Sequence, residues 1–239
     1  MNKMNTETLY QHGTLAMLVP GLLAGTLSVA DLLKHGDTGI GTLSGLNGEL
    51  MIIGGVVYQM AADGQIRVVG PKEMVPFANV HYAKQEPTTK LTNVDYAQFQ
   101  QAALDQIGTE NIFAAVTVTG KFTRMHTRAV GEQVSPYPTL AATAEAQQEF
   151  NATAIDGQVV GYFSPELYAG VVSPGFHLHF LSSDHVMGGH ILDFELESGE
   201  IAIQPFQNFD LHLPIDNNDF RREHFNSRQV IADIRKAEH

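Results

Sequence analysis

Apolar and polar residues alternate with period two along much of this chain, and only a few stretches carry the wider spacing of a helix. The alternation predicts strands over residues 49–53, 56–60, 66–69, 112–124 and 158–163, with Asp63-Gly64 and Asp156-Gly157 as turns ahead of the third and the last. Further strands are expected over 201–205 and near 209–213, before Pro214-Ile215-Asp216-Asn217-Asn218 breaks the pattern. Helices are expected over 29–35, capped by Ser28 and closed by Gly36, over 93–107, closed by Gly108, and over 227–236. The chain therefore reads as an α+β (mixed α/β) fold, mainly antiparallel β-sheet in two closely packed lobes with a few helices. Residues 131–138, with two prolines, mark the expected boundary, giving lobes of about 1–135 and 136–239 within a single unit spanning 1–239.

Composition narrows the possible chemistry. At 239 residues and 44% hydrophobic content the chain can bury a substantial core. It has no cysteine, so a disulfide framework and a thiolate metal site are both excluded, and any transition metal must be held by nitrogen and oxygen. The net charge of −12, from 26 acidic and 14 basic residues, comes without a basic stripe, which argues against a nucleic-acid partner. The apolar run over 15–25 is broken by Pro20 and Gly21 and is too short to span a bilayer. The residues before it include Glu7 and one lysine, and no small-residue cleavage site follows, so a cytoplasmic protein without membrane association is expected.

The strongest chemical signal is Gly175-Phe176-His177-Leu178-His179-Phe180-Leu181, followed by His190 in His190-Ile191-Leu192-Asp193-Phe194. On an extended strand His177 and His179 project to the same side. Residues 182–189 read as a hairpin loop that returns His190 beside them, so three imidazoles converge on a β-hairpin of the second lobe. Three histidines with open coordination positions are the arrangement of a catalytic zinc. His185, in the loop, is the rival third ligand, but nothing in the sequence fixes its direction. Taken singly, each histidine would read as an ordinary core or surface residue.

Together with Gly41-Thr42-Leu43-Ser44-Gly45-Leu46-Asn47-Gly48-Glu49-Leu50 and His126-Thr127-Arg128-Ala129-Val130, the two histidine segments resemble the α-acetolactate decarboxylases over nearly the whole chain. The resemblance implies a metal-dependent carboxy-lyase that converts (S)-2-acetolactate to (R)-acetoin and carbon dioxide, working as a homodimer on a small-molecule substrate. It implies a zinc ion (Zn2+) on His177, His179 and His190, and a glutamate, here Glu49, that reaches the metal or the substrate. Asn47 stands where the family motif has aspartate. Arg128 takes the place of the family arginine as a catalytic and substrate-binding group, Thr42 is an accessory pocket residue, and Glu238 matches a glutamate near the family's C-terminus.

The chemistry calls for these residue types. Loss of carbon dioxide from a 2-hydroxy-3-keto acid leaves an electron pair that moves into the neighbouring ketone, which a Lewis-acidic metal stabilises. A guanidinium can hold the substrate carboxylate or the developing oxyanion with two directed hydrogen bonds, which lysine cannot copy. One-sided protonation then requires an acid, with Glu49 the first candidate and Glu238 the second. Two other classes share the histidine pattern. A cupin-like metal oxygenase would carry a glutamate three to five residues after the second histidine, where Ser182, Ser183 and Asp184 stand. A non-catalytic metal-dependent ligand-binding module would use the same histidines without turnover.

Overall fold

The computed structural model describes residues 5–226 together with 230, 231 and 234. In chain order these form β1 (Thr8–His12), α1 (Leu15–Leu18), β2 (Leu27–Ser28), α2 (Val29–Leu32), β3 (Thr38–Leu43), β4 (Asn47–Ile53), β5 (Val56–Met60), β6 (Ile66–Val68), β7 (Met74–Val75) and β8 (Phe77–His81). There follow β9 (Thr88–Asp95), α3 (Tyr96–Ile107), β10 (Ala114–Ala129), α4 (Leu140–Ala144), β11 (Gln148–Ser164), β12 (Gly175–Ser182), β13 (Gly188–Pro205), β14 (Asn208–His212) and α5 (Asn218–Arg222). One sheet has the order β14-β1-β8-β3-β4-β5-β6, antiparallel apart from the parallel β1–β14 pair. The other has the order β10-β11-β12-β13-β9, and β13 also pairs with β10, so that four of its strands close on themselves. The mixed α/β, mainly antiparallel architecture in two lobes is as the alternation predicted.

The division between the sheets follows pairing rather than sequence order. Residues 131–138 connect β10 to β11, which are neighbours in one sheet, while the chain passes between sheets at 82–87 and 206–207. β14 thus returns to the sheet that holds β1. The Asp156-Gly157 pair is no turn either, because both residues lie inside β11, opposite Lys121 and Gly120. Glycine is needed there for close approach, since a Cβ would sit 2.4 Å from the Phe180 ring.

Capping decides the helix boundaries. The Asp95 side chain accepts from the Gln98 amide while Gln98 reaches back to the Asp95 amide, so α3 begins after Asp95 and not at Asn93, which is still in β9. Gly108, at φ 76°, closes it as expected. Ser28 caps α2, which ends at Leu32, short of the expected His35. Of the helix expected over 227–236, only Val230, Ile231 and Ile234 are described; all are helical, and Val230 and Ile234 are buried against Leu15, Leu18 and Leu140. No helix among the described residues is long and apolar enough to cross a membrane.

Two apolar layers fix the lobes. Phe99 of α3 packs on Phe194, and Phe122 meets Phe180 and Phe194 edge-on. Each such buried aromatic contributes about 1.5–3 kcal/mol. Ile40, Met51 and Met60 of the first sheet meet Val160 and Leu181 of the second, which locks the sheets together. A polar seam crosses this layer, where His81 Nδ1 lies 2.9 Å from the Tyr162 hydroxyl and Asn79 donates to Gln11 at 2.8 Å.

Burial lowers the His81 pKa to about 4, against a weak opposing pull from Asp37. Because the folded value lies below the unfolded one, the unfolded chain takes up a proton first as pH falls, and stability drops between about pH 6.5 and 4. This group alone should cost roughly 3 kcal/mol across that window. Urea unfolding at a series of pH values checks this: His81→Gln should flatten the slope of stability against pH, and an unchanged slope would contradict it.

Candidate metal centre

β12 carries His177 and His179 on one face, and β13 returns with His190 directly opposite His179. One ring nitrogen from each of these three histidines lies within 4.8 Å of the others, and ring centroids are 4.9–5.6 Å apart. Among the described residues this is the group of histidines and carboxylates placed to hold a metal ion. His185 does not join it. Its backbone is left-handed at φ 56°, and its ring lies against Tyr58 at 4.7 Å.

The glycines before His190 have a steric reason. Gly189 has φ 139°, and a Cβ there would lie 2.5 Å from the Arg128 carbonyl oxygen. A Cβ on Gly188 would lie 2.6 Å from both Met60 Cγ and the Phe180 carbonyl oxygen. Glycine at 189 lets β13 lie close against β10, where Arg128 is the cross-strand partner of His190, and glycine at 188 lets it lie against β12 and Met60. The guanidinium is thus brought to the histidines by register rather than by sequence proximity.

The other sheet supplies the carboxylate. Glu49 of β4 reaches across, with Oε2 3.4 Å from His179 Nε2. The next residue on β4 also acts on that histidine: His179 Nδ1 donates to the Leu50 carbonyl at 2.7 Å. A carbonyl only accepts, so Nδ1 carries a proton, and the neutral ring then offers its Nε2 lone pair, as a metal-binding histidine requires. Thr42, paired with Glu49 across β3 and β4, donates its hydroxyl to the Gly48 carbonyl at 2.8 Å and so braces the turn that presents Glu49.

All of these side chains line one cavity. The rest of its lining is largely apolar, from Leu15, Leu18, Leu46, Phe77, Val130 and Leu140. The apolar run over 15–25, which matched no membrane span, has its use here. Histidine 179, histidine 190 and Arg128 are buried, at 1%, 5% and 5% exposure, so charge interactions in this cavity are weakly screened. Three imidazoles, a neighbouring carboxylate and no thiol suit a borderline divalent ion such as zinc.

Each expected site residue within the described part of the chain thus falls in this cavity: Thr42, Glu49, Arg128, His177, His179 and His190. Glu238 lies outside the described residues. Several contributors carried no signal in the sequence. The Leu50 carbonyl is backbone, the apolar wall is assembled from five separate segments, and Gln147 accepts a hydrogen bond from Arg128 Nη1 at 3.1 Å. Asp184, in the place where a cupin would carry its glutamate, is exposed in the β12–β13 loop and accepts from the Ser182 hydroxyl at 2.7 Å.

Comparison with known proteins agrees with this geometry. The family model for alpha-acetolactate decarboxylase matches residues 9–227. The alpha-acetolactate decarboxylase of Streptococcus thermophilus is 35% identical over 237 residues, covering 96% of this chain and 98% of the relative. The crystal structure of a Staphylococcus aureus protein of unknown function, similar to alpha-acetolactate decarboxylase, superposes with a TM-score of 0.93 at 37% identity, covering 97% of this chain and 100% of the other. The alpha-acetolactate decarboxylase of Bacillus subtilis strain 168 superposes with a TM-score of 0.93 at 29% identity, covering 97% and 99%.

Proposed function

This chain belongs to the alpha-acetolactate decarboxylase family, and from that premise we propose how its cavity removes carbon dioxide from 2-acetolactate to give acetoin. The activity is that of a carboxy-lyase. The observation that carries the mechanism is the convergence of three histidines, Glu49 and Arg128 on one largely buried cavity.

In this reading His177, His179 and His190 would hold a zinc ion, with the Glu49 carboxylate available to it. Bound there, the ion would supply Lewis acidity toward the ketone and hydroxyl oxygens of the substrate. Arg128 grips the substrate carboxylate and orients the bond that breaks. The bonding electrons move into the ketone, carbon dioxide leaves, and a proton is then added to the resulting carbanion-equivalent carbon. Glu49 would deliver that proton from one side, which suits conversion of the (S) substrate to the (R) product; its carboxylate beside His179 supports this reading. The apolar wall of Leu15, Leu18 and Phe77 accommodates the methyl groups and keeps water from competing.

Carbon dioxide release from 2-acetolactate, measured before chelation, after it and after zinc is returned, tests metal, substrate and reaction together. Turnover that never depends on metal would contradict the zinc reading. Absence of turnover in fully zinc-loaded protein would contradict the substrate. The proposal also treats residues 1–239 as a single catalytic unit, supported by a family match that runs through both sheets. It keeps the homodimer and the cytoplasmic location expected from the sequence; sedimentation and cell fractionation are the measurements that decide them.

Glu238 enters the proposal as a second acid-base group on the strength of the resemblance. What supports it among the described residues is that Val230 and Ile234 are buried against Leu15, Leu18 and Leu140, which also line the cavity. Deleting residues 238 and 239, or replacing Glu238 with Gln, should lower acetoin formation by about tenfold or more while the thermal midpoint barely moves, since little apolar surface is lost. Unchanged turnover in the truncated protein would leave Glu49 as the proton donor.

A further inference from the structure

Thr127 is fully buried on the face of β10 that also presents Met125 and Ala129, where an isosteric valine would fill the same space. A hydroxyl in such surroundings needs a hydrogen bond. Here it donates to the Gly188 carbonyl at 3.1 Å, two residues ahead of His190. Strand pairing explains why that carbonyl takes a side-chain donor. In the β12–β13 hairpin the Ser182 amide donates to the Met187 carbonyl at 2.8 Å, so the next pair, Leu181 with Gly188, falls in the non-bonded position. The Gly188 carbonyl therefore points away from β12 and towards β10. On β10 the ladder to β13 ends at Arg128 with His190, and beyond it the Val130 carbonyl accepts from the Gly48 amide of β4 at 2.9 Å. β10 thus leaves β13 where Gly188 enters, and the Thr127 hydroxyl carries the connection one step further.

The tip of the same hairpin is set by another hydroxyl. Ser182 Oγ accepts from the Val186 and Met187 amides at 3.1 and 3.0 Å and donates to Asp184 at 2.7 Å. Between Gly188 and His190 stands Gly189, at φ 139°, a residue type that restrains the backbone little. A tie at Gly188 therefore limits how far the His190 end of β13 can shift.

We infer that Thr127 is a positioning residue of the metal centre: by tying the Gly188 carbonyl to β10, it holds His190 at the spacing from His177 and His179 that a shared ion requires. The inference rests on the reading of these three histidines as a zinc site. Removing the hydroxyl takes a donor from a buried carbonyl and lets the returning arm relax. His190 must then be drawn back when the ion binds, which lowers affinity without removing a ligand.

The test uses full-length protein with Thr127→Val and Thr127→Ala, which remove the hydroxyl in two ways, Thr127→Ser, which keeps it, and Ser28→Ala. Ser28→Ala takes the N-cap from α2, which contributes nothing to the cavity lining, and so lowers the melting temperature for an unrelated reason. Zinc affinity is measured by competition with a chromogenic chelator, the geometry of the centre by the visible absorption of the cobalt(II)-loaded protein, and stability by thermal melts of the metal-free protein. Thr127→Val and Thr127→Ala should each raise the zinc Kd by about tenfold and alter the cobalt bands. Thr127→Ser should stay within about threefold of wild type, with the wild-type spectrum. Ser28→Ala should leave both readouts unmoved.

Wild-type zinc affinity and cobalt spectrum in either folded variant without the hydroxyl would overturn the inference and leave the zinc reading standing. Equal weakening of zinc by Ser28→Ala would also overturn it, since affinity would then follow overall stability and not the placement of His190. A wild-type protein that takes up neither zinc nor cobalt would remove the metal reading itself, and the inference with it.

Discussion

His177→Ala and His179→Ala should each lose bound zinc and decarboxylation together. Three imidazoles are the proposed ligands, and a site cut to two cannot hold a divalent ion against water at ordinary concentrations. Lewis-acid stabilisation is worth several kcal/mol, so turnover should fall by a factor on the order of 10³ or more. The two substitutions differ in what else they disturb. His179 is buried and bonded to the Leu50 carbonyl, so its removal also leaves a cavity and an unsatisfied acceptor, whereas His177 is half-buried and gives the cleaner comparison. Metal analysis and acetoin formation on the same samples make the measurement. His185→Ala is the control and should retain both, because its ring lies against Tyr58 in the loop. Full activity in a His177→Ala protein shown to be free of metal would end the zinc reading.

Arg128→Lys and Glu49→Gln should lose chemistry while keeping the fold. Lysine preserves the charge but offers a point donor in place of a planar fork, so the carboxylate is held without the alignment that bond cleavage needs. Glutamine is isosteric with glutamate and cannot release a proton in its place. Each change should lower kcat by roughly 10²–10⁴, the range of a positioned acid or anion clamp. Glu49 Oε2 lies 3.4 Å from His179 Nε2, so Glu49→Gln should also weaken zinc binding, by about 10–100-fold if the carboxylate acts from outside the ligand set. Metal titration beside single-turnover kinetics separates the two effects. Near-wild-type rate constants in both variants would move the reacting atoms elsewhere in the cavity.

These expectations were legible in the sequence to different depths. The period-two spacing of His177 and His179 fixes a shared face wherever the strand lies, and a hairpin of this length returns His190 beside them. Both are consequences of local backbone geometry, and the structure reproduces them as the His179–His190 pair. Glu49 and Arg128 were legible only through the resemblance, since each sits on an unremarkable alternating strand far from the histidines in the chain. The Asp156-Gly157 pair reads as a turn from its neighbours alone, because the close approach of the Phe180 ring, which demands glycine there, comes from a different strand.

By itself, the sequence determined a cysteine-free, strand-rich α+β chain with a three-histidine motif, because strand alternation, caps such as Ser28 and Gly108, and donor chemistry are set within a few residues of one another. Only the tertiary structure decided which long-range partners complete the site. It set Arg128 opposite His190 through the register of β10 on β13, turned the His179 lone pair inward with the Leu50 carbonyl, tied Arg128 to Gln147, and walled the cavity with residues as distant as Leu15 and Leu140. The physical reason is that register and sheet closure are collective: a one-residue slip of β10 on β13 would turn Arg128 to the opposite face, and nothing in its own neighbourhood of sequence opposes that slip.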